Sequence, residues 1–200
     1  MPHVADHPMR RVTESVTNDP GSWSSMRDEV RRTFEDLAAT WEERLSPTAL
    51  TALAAGLHHV PKPTTALDLA TGTGLAADLV AGTFPDGFVV GADLSEAMVR
   101  AGAAKPRPHE VQFTVGDASG LPFPDDAFDL VTILNAPVFA DELARILAPA
   151  GSVVIAYSAG GDTPIYVPFA DLERVLTAAG LVEVRHGRAG PGVWTIARTG

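Results

Sequence analysis

Between residues 25 and 45, Met26, Val30, Phe34, Leu37, Ala38, Trp41 and Leu45 recur at steps of three and four. That spacing gathers them on one stripe and predicts an amphipathic helix. A second helix is predicted over 47–59, with Pro47 in its first turn and Pro61 and Pro63 ending it. Beyond it the period changes. Near-continuous apolar runs at 66–70, 88–92, 111–115, 130–134 and 153–157 suit strands buried on both faces. Helical patterns lie between and after them, near 75–81, 96–104, 138–147 and 169–179. Two late strands, 182–186 and 193–198, are separated by Gly187, Gly190, Pro191 and Gly192, a link short enough for an antiparallel hairpin at the sheet edge. The alternation predicts a doubly wound α/β domain with a mostly parallel sheet and an N-terminal helical cap. Residues 1–24 show neither period and contain Pro2, Pro8, Asn18, Pro20 and Gly21, so a mobile arm is expected there. The expected division is arm 1–24, cap 25–60 and core 61–200.

Composition narrows the class. At 46% hydrophobic and 20% charged, a chain of 200 residues has the balance of a globular domain. No run approaches the length of a membrane helix, and the first residues lack the apolar segment of a secretory signal, so a cytoplasmic location is expected. Cysteine is absent, which rules out disulfides and thiolate metal sites but leaves the redox compartment open. The net charge is −10, and no basic residue stands between Arg107 and Arg145, where Glu110, Asp117, Asp125, Asp126, Asp129, Asp141 and Glu142 fall. Nucleic acid is therefore not an expected partner, and a solvated acidic surface accounts for the charges. A small-molecule substrate is the expectation. The six histidines show no metal-ligand spacing, and no metal is implied.

The richest segment is TALDLATGTGLAA, residues 65–77, which reads as strand, glycine turn and helix. Gly72 and Gly74 permit a tight turn and close approach of a ligand. GTGLAA also satisfies the dinucleotide pattern G-x-G-x-x-G/A, and a purely structural turn would do so equally. Asp68 bears on the choice. A carboxylate repels a pyrophosphate, whereas it attracts the ammonium and sulfonium of S-adenosylmethionine, directly or through water. Its bland role is that of a cap or turn residue. Asp93 ends the second strand, where an acid can accept from both ribose hydroxyls or cap the helix beginning near Ser95. Asp117 ends the third, where a carboxylate can accept from the adenine amine while the backbone of Ala118 addresses the ring. Three acids at successive strand ends point to the face where open α/β sheets bind ligands.

At these residues the chain resembles the class I S-adenosylmethionine-dependent methyltransferases, especially the small-molecule type similar to ubiquinone and menaquinone methyltransferases. The resemblance covers about residues 34–198. It implies that LDLATGTG lines the methionine part through Asp68, Ala70, Thr71, Gly72 and Gly74. In GADLSEAMV it implies Asp93 on the ribose, with Leu94 and Met98 near the adenine. In GDASGLPFPDDAFDLV it implies Asp117 and Ala118 at the adenine edge. LAPAGSVVIAYS resembles the turn into the fifth strand, and the family sheet has seven strands with an antiparallel last one.

The chain departs from the family at Ala70, where a glycine is usual, and in short segments after the fourth and fifth strands. Acceptor recognition is thereby expected from 135–139, from 160–168 and from the cap. Asn135 is expected near the cofactor, although NAPVF matches the Asn-Pro-Pro-aromatic motif of N-methyltransferases only faintly, and Asn135 capping a short helix is the plainer reading. Phe139, Tyr166 and Trp41 are the acceptor-side candidates, with Trp41 equally fit for helix core. The expected reaction moves a methyl group from S-adenosylmethionine, leaving S-adenosylhomocysteine, to an O, N or C atom of a small molecule. No catalytic base is identified. A non-catalytic S-adenosylmethionine-binding partner module and an NAD-binding reductase are the rival readings. A homodimer is left open as another way to enclose the acceptor.

Overall fold

The computed structural model describes residues 7–200. Its centre is a seven-stranded sheet in the order β3-β2-β1-β4-β5-β7-β6. The strands are β1 (Thr65–Leu69), β2 (Phe88–Asp93), β3 (Gln112–Val115), β4 (Phe128–Leu134), β5 (Leu147–Tyr157), β6 (Val182–Ala189) and β7 (Gly192–Arg198). β1 to β5 pair in parallel, and β7 runs antiparallel to both β5 and β6. The late hairpin thus does not simply append. Its second strand inserts beside β5 and leaves β6 at the edge.

Among the described residues, seven α-helices surround this sheet: α1 (Pro8–Asn18), α2 (Trp23–Leu37), α3 (Thr51–Leu57), α4 (Leu75–Thr83), α5 (Glu96–Ala103), α6 (Ala140–Ile146) and α7 (Phe169–Ala178). Alternate strand residues feed two apolar layers. Ala66, Val89, Leu130 and Val154 pack with Leu53 of α3 and Val80 of α4. Leu67, Val131, Val153 and Ile155 pack with Leu143 of α6 and Leu172 of α7 on the opposite face. Burial on both faces explains why the central strands read as continuous apolar runs.

The cap departs from expectation. The predicted 25–45 helix becomes α2 followed by two short 3₁₀ turns, Ala38–Thr40 and Glu42–Arg44, and α3 starts later than Pro47. The larger correction is α1, within the segment expected to be a mobile arm. Pro8 stands at its first turn, the His7 side chain accepts from the Met9 N–H at 3.2 Å, and Met9, Val12, Thr13 and Val16 are buried. Those positions follow helical spacing and needed the rest of the fold to give them something to cover. The mobile-arm expectation for residues 1–6 lies outside the described residues.

α1 and α2 form a roof over the carboxyl ends of the strands. Met9, Val12, Val16, Trp23 and Val30 pack there on Phe139, after β4, and on Ile165, after β5. Two shallow hollows, of about 300 and 200 Å³, open beside Phe88 and Pro61 at the opposite ends of the strands.

Candidate functional site

The site begins at the turn between β1 and α4, beside the point where strand order reverses from β1 to β4. Ligands of open α/β sheets bind in the crevice at this point. Ala70, Gly72 and Gly74 all take left-handed backbone conformations, with φ of 57°, 56° and 92°. A Cβ on Gly74 would stand 2.7 Å from the Phe113 ring, and one on Gly72 would stand 3.1 Å from the Trp41 indole nitrogen. At Gly74 space demands glycine and the left-handed conformation favours it, whereas at Gly72 the conformation favours glycine and the Trp41 indole stands close.

Three carboxylates meet this turn differently. Asp68 is 1% exposed. Its two oxygens accept from the Thr71 hydroxyl at 2.5 Å and the Thr132 hydroxyl at 2.8 Å. Burial pushes its carboxyl up to about 6, against the opposing pull of those hydroxyls and of the Ala77 N–H. Asp68 therefore lies beneath the loop and shapes it through Thr71, rather than facing an open crevice as its charge alone suggests. Asp93 reaches the loop directly. One oxygen accepts from the Gly72 N–H at 2.8 Å and the other from the Ser95 N–H at 2.9 Å. Burial raises its pKa, and the N–H groups of Ser95, Gly72 and Leu94 pull it back. Three N–H groups thus occupy the carboxylate, which keeps one further acceptor position. The cap of α5 is Ser95 itself, whose hydroxyl accepts from the Met98 N–H at 3.2 Å.

Asp117 is shared with the roof. One oxygen accepts from the Ser119 N–H and hydroxyl at 2.9 and 2.8 Å, and also from the Trp23 indole N–H at 2.9 Å. The other lies 3.6 Å from the Arg27 guanidinium. Leu94 and Ala118 are half-buried against the roof cluster, whereas Met98 is enclosed at 1% exposure. Asn135 takes φ 54°, and its amide donates to the Ser158 hydroxyl at 2.9 Å and accepts from the Ser158 N–H at 2.8 Å. It clamps the ends of β4 and β5 together and caps no helix. Phe139 is buried with its ring edge-on to Trp23 at 5.5 Å. Tyr166 is half-buried, 5.4 Å from the Tyr157 ring. Trp41 is half-buried between Phe34, 5.5 Å away, and the glycine turn.

Several contributors are not singled out by the sequence. Trp23 and Arg10 fall within the expected arm. The Arg10 guanidinium donates to the carbonyls of Tyr166 and Thr163 at 2.9 and 3.1 Å, tying α1 to the loop after β5. The Thr73 hydroxyl donates to Glu42 at 3.0 Å, Glu42 pairs with Lys105, and the Lys105 ammonium donates to the Thr73 carbonyl at 3.1 Å. The spacing of Met9, Val12 and Val16, with Pro8 ahead of it, is the signal available for α1.

These residues suit S-adenosylmethionine on the structure's own terms. Asp93 keeps an acceptor position for a ribose hydroxyl, Gly72 offers a backbone without a side chain, and Leu94 and Ala118 are apolar groups at the same strand ends. Among the described residues no cluster of three His, Asp or Glu side chains is placed to hold a metal ion, and no helix is long and apolar enough to cross a membrane.

Comparison with known proteins identifies relatives. A methyltransferase-domain family model matches residues 66–154. The chain is 32% identical over 180 residues to a demethylmenaquinone methyltransferase of Clavibacter sepedonicus, covering 84% of this chain and 71% of that protein. It is 45% identical over 102 residues to a demethylmenaquinone methyltransferase of Thermus thermophilus, a match spanning 46% of each chain. Less than half of that Thermus relative is therefore matched. The crystal structure of an S-adenosylmethionine-dependent methyltransferase from Aquifex aeolicus superposes with a TM-score of 0.66 at 19% identity, over 82% of this chain and 98% of that one. That likeness shows the fold. By its sequence match across most of both chains, this protein belongs to the class I S-adenosylmethionine-dependent methyltransferase family.

Proposed function

We propose that this protein transfers a methyl group from S-adenosylmethionine to an O, N or C atom of a small, largely apolar molecule, releasing S-adenosylhomocysteine. The observation that carries this reading is the Asp93 carboxylate, which fastens the Gly72 turn to the end of β2 and keeps one acceptor position beyond its three N–H partners. In this reading Asp93 holds the ribose hydroxyls, and Ala70, Thr71, Gly72 and Gly74 border the methionine part. Asp68 braces that turn from below. Leu94, Met98, Asp117 and Ala118 border the adenine, and Asn135 keeps the ends of β4 and β5 in place. Trp41, Phe139 and Tyr166 belong to the wall facing the acceptor.

S-adenosylmethionine supplies a methyl group already activated on a sulfonium: the S–CH₃ bond breaks as the bond to the acceptor forms, and the sulfonium becomes a neutral thioether. The chain's residues orient, bring close and exclude water, which is where such a displacement gains most. The apolar roof of Val12, Trp23 and Phe139 suits water exclusion. The relatives' named acceptor, demethylmenaquinone, is the first compound to try.

Isothermal titration with S-adenosylhomocysteine, followed by mass analysis of reduced demethylmenaquinone incubated with S-adenosylmethionine, tests the reading. Saturable 1:1 binding and a methylated product are expected. Absence of binding removes the reading as a whole. Binding without product directs the search to other acceptors.

A further inference from the structure

The turn between β1 and α4 already holds a carboxylate, supplied by the chain itself. Glu42 lies in the 3₁₀ turn Glu42–Arg44 that follows α2, and its side chain is 56% exposed. It nevertheless reaches across to the glycine turn, where it accepts from the Thr73 hydroxyl at 3.0 Å and pairs with the Lys105 ammonium. Trp41, the preceding residue, lies against Gly72. Two consecutive residues from outside the sheet thus place a flat ring and a carboxylate on the turn that the methyl-transfer reading gives to the cofactor.

The charges around Thr73 set Glu42 apart. Two cations donate to the Thr73 carbonyl, Lys105 at 3.1 Å and Arg107 at 2.9 Å. Arg107 has its own anion in Asp78 of α4, at 2.7 Å, so that pair is internal to the core. Among the described residues Lys105 pairs with Glu42 alone, and Glu42 belongs to a segment outside the core. Burial and the nearby Arg107 guanidinium hold the Lys105 ammonium below the usual lysine pKa, so its charge gains from a carboxylate partner. Thr73 is 2% exposed, and its hydroxyl is covered by Glu42. A carboxylate arriving with a ligand would find both donors already aimed.

We propose that Glu42 occupies the subsite of the cofactor's α-carboxylate in the unliganded chain, and that Lys105 changes partner from Glu42 to that carboxylate when the cofactor binds. This rests on the methyl-transfer reading above and deepens it. Two carboxylates at the same donors repel one another, so the incoming group and Glu42 compete. Lys105 is 29% exposed, and the exchange leaves it paired in both states, as a half-buried cation requires. Glu42, more than half exposed, returns to water at small cost. Its departure draws Trp41 off Gly72, which the methionine part then borders. Arg10 and Trp23, the other ties of the roof, take no part in the exchange.

Calorimetry with two ligands separates the carboxylate from the rest of the cofactor: S-adenosylhomocysteine, and methylthioadenosine, which keeps the nucleoside and thioether but lacks the amino-acid end. The wild-type protein is expected to prefer S-adenosylhomocysteine. Lys105→Met should weaken S-adenosylhomocysteine at least ~10-fold, as loss of a charge-assisted hydrogen bond allows, and leave methylthioadenosine within ~2-fold. Glu42→Gln should act in the opposite sense, tightening S-adenosylhomocysteine by ~3-fold or more, the scale of a half-exposed ion pair, with methylthioadenosine again little changed. Both side chains are partly exposed, so neither change is expected to unfold the chain. Unchanged or weaker binding of S-adenosylhomocysteine in Glu42→Gln would make Glu42 a fastener of its own segment or a partner of the cofactor's ammonium, and would overturn the proposal. Equal weakening of both ligands in Lys105→Met, or no preference between them in the wild type, would do the same. Each of these results leaves S-adenosylhomocysteine bound by the wild type, and the methyl-transfer reading with it, whereas a wild type that binds neither ligand removes both.

Discussion

At the scale of single residues, the three acids show how one residue type near three successive strand ends acquires three environments. Asp68 is enclosed, Asp93 straddles two loops, and Asp117 faces the roof. Asp93→Asn is the most informative change. A carboxamide offers one acceptor oxygen, so its amino group must confront either the Gly72 or the Ser95 N–H. It also loses the charge that strengthens hydrogen bonds from ribose hydroxyls. S-adenosylhomocysteine should bind at least ~30-fold more weakly by calorimetry, about 2 kcal/mol. The thermal midpoint should fall as well, because a buried N–H is left poorly paired. An affinity within ~3-fold of wild type, in a variant with an unchanged circular dichroism spectrum, would remove Asp93 from the site.

At the scale of elements, the roof is fastened before any ligand enters. Arg10 holds α1 to the loop after β5, Trp23 holds α2 to Asp117, and Glu42 holds the segment after α2 to Thr73. All three anchors end on loops at the carboxyl ends of strands, so a bound cofactor is expected to steady the roof. Lids come from the least stable part of a structure, and their opening is read by amide exchange. Amides of residues 8–37 should exchange more slowly once S-adenosylhomocysteine is added. Arg10→Ala should speed exchange of α1 by roughly tenfold, the effect of losing about 1.4 kcal/mol of local stability, while β1 and β4 stay protected. If ligand leaves exchange in this segment unchanged, the roof is packing alone and a second copy of the chain becomes the better candidate for enclosing the acceptor.

At the scale of the whole molecule, burying Asp68 under the turn gives stability a pH dependence of defined sign. Its folded pKa, about 6, lies above the ordinary carboxylate value, so the native state binds more protons than the unfolded chain between about pH 4 and 6. Stability from this group is therefore present at low pH and lost as pH rises through about 6. A carboxyl raised from 3.8 to about 6 accounts for a loss of up to about 3 kcal/mol. Burial moves Asp93 in the same direction, so the slope of the wild type is shared. Asp68→Asn isolates one share: in urea titrations, its stability relative to wild type should improve on going from pH 4 to pH 7. A difference independent of pH would mean that Asp68 ionises in the fold as it does in water.

Much of the architecture was legible because two periods report burial directly. Runs such as ALDLA and VTIL announce strands covered on both faces, and glycines at 72 and 74 mark a turn that few other residues can make. The positions of Asp93 and Asp117 follow from those strand ends. What periodicity omits is the partner. It could not say that β7 rather than β6 lies against β5, since either strand of the hairpin has a face to bury. Nor could it give α1 a role, because three apolar side chains in eleven residues mean little until Phe139 and Ile165 lie beneath them. The direction of each acid was equally undetermined: Asp68 turns inward because Thr71 and Thr132, 64 positions apart from it in the second case, supply hydroxyls there. Local sequence determines which groups a strand or helix presents, while contacts between distant segments decide what each group meets.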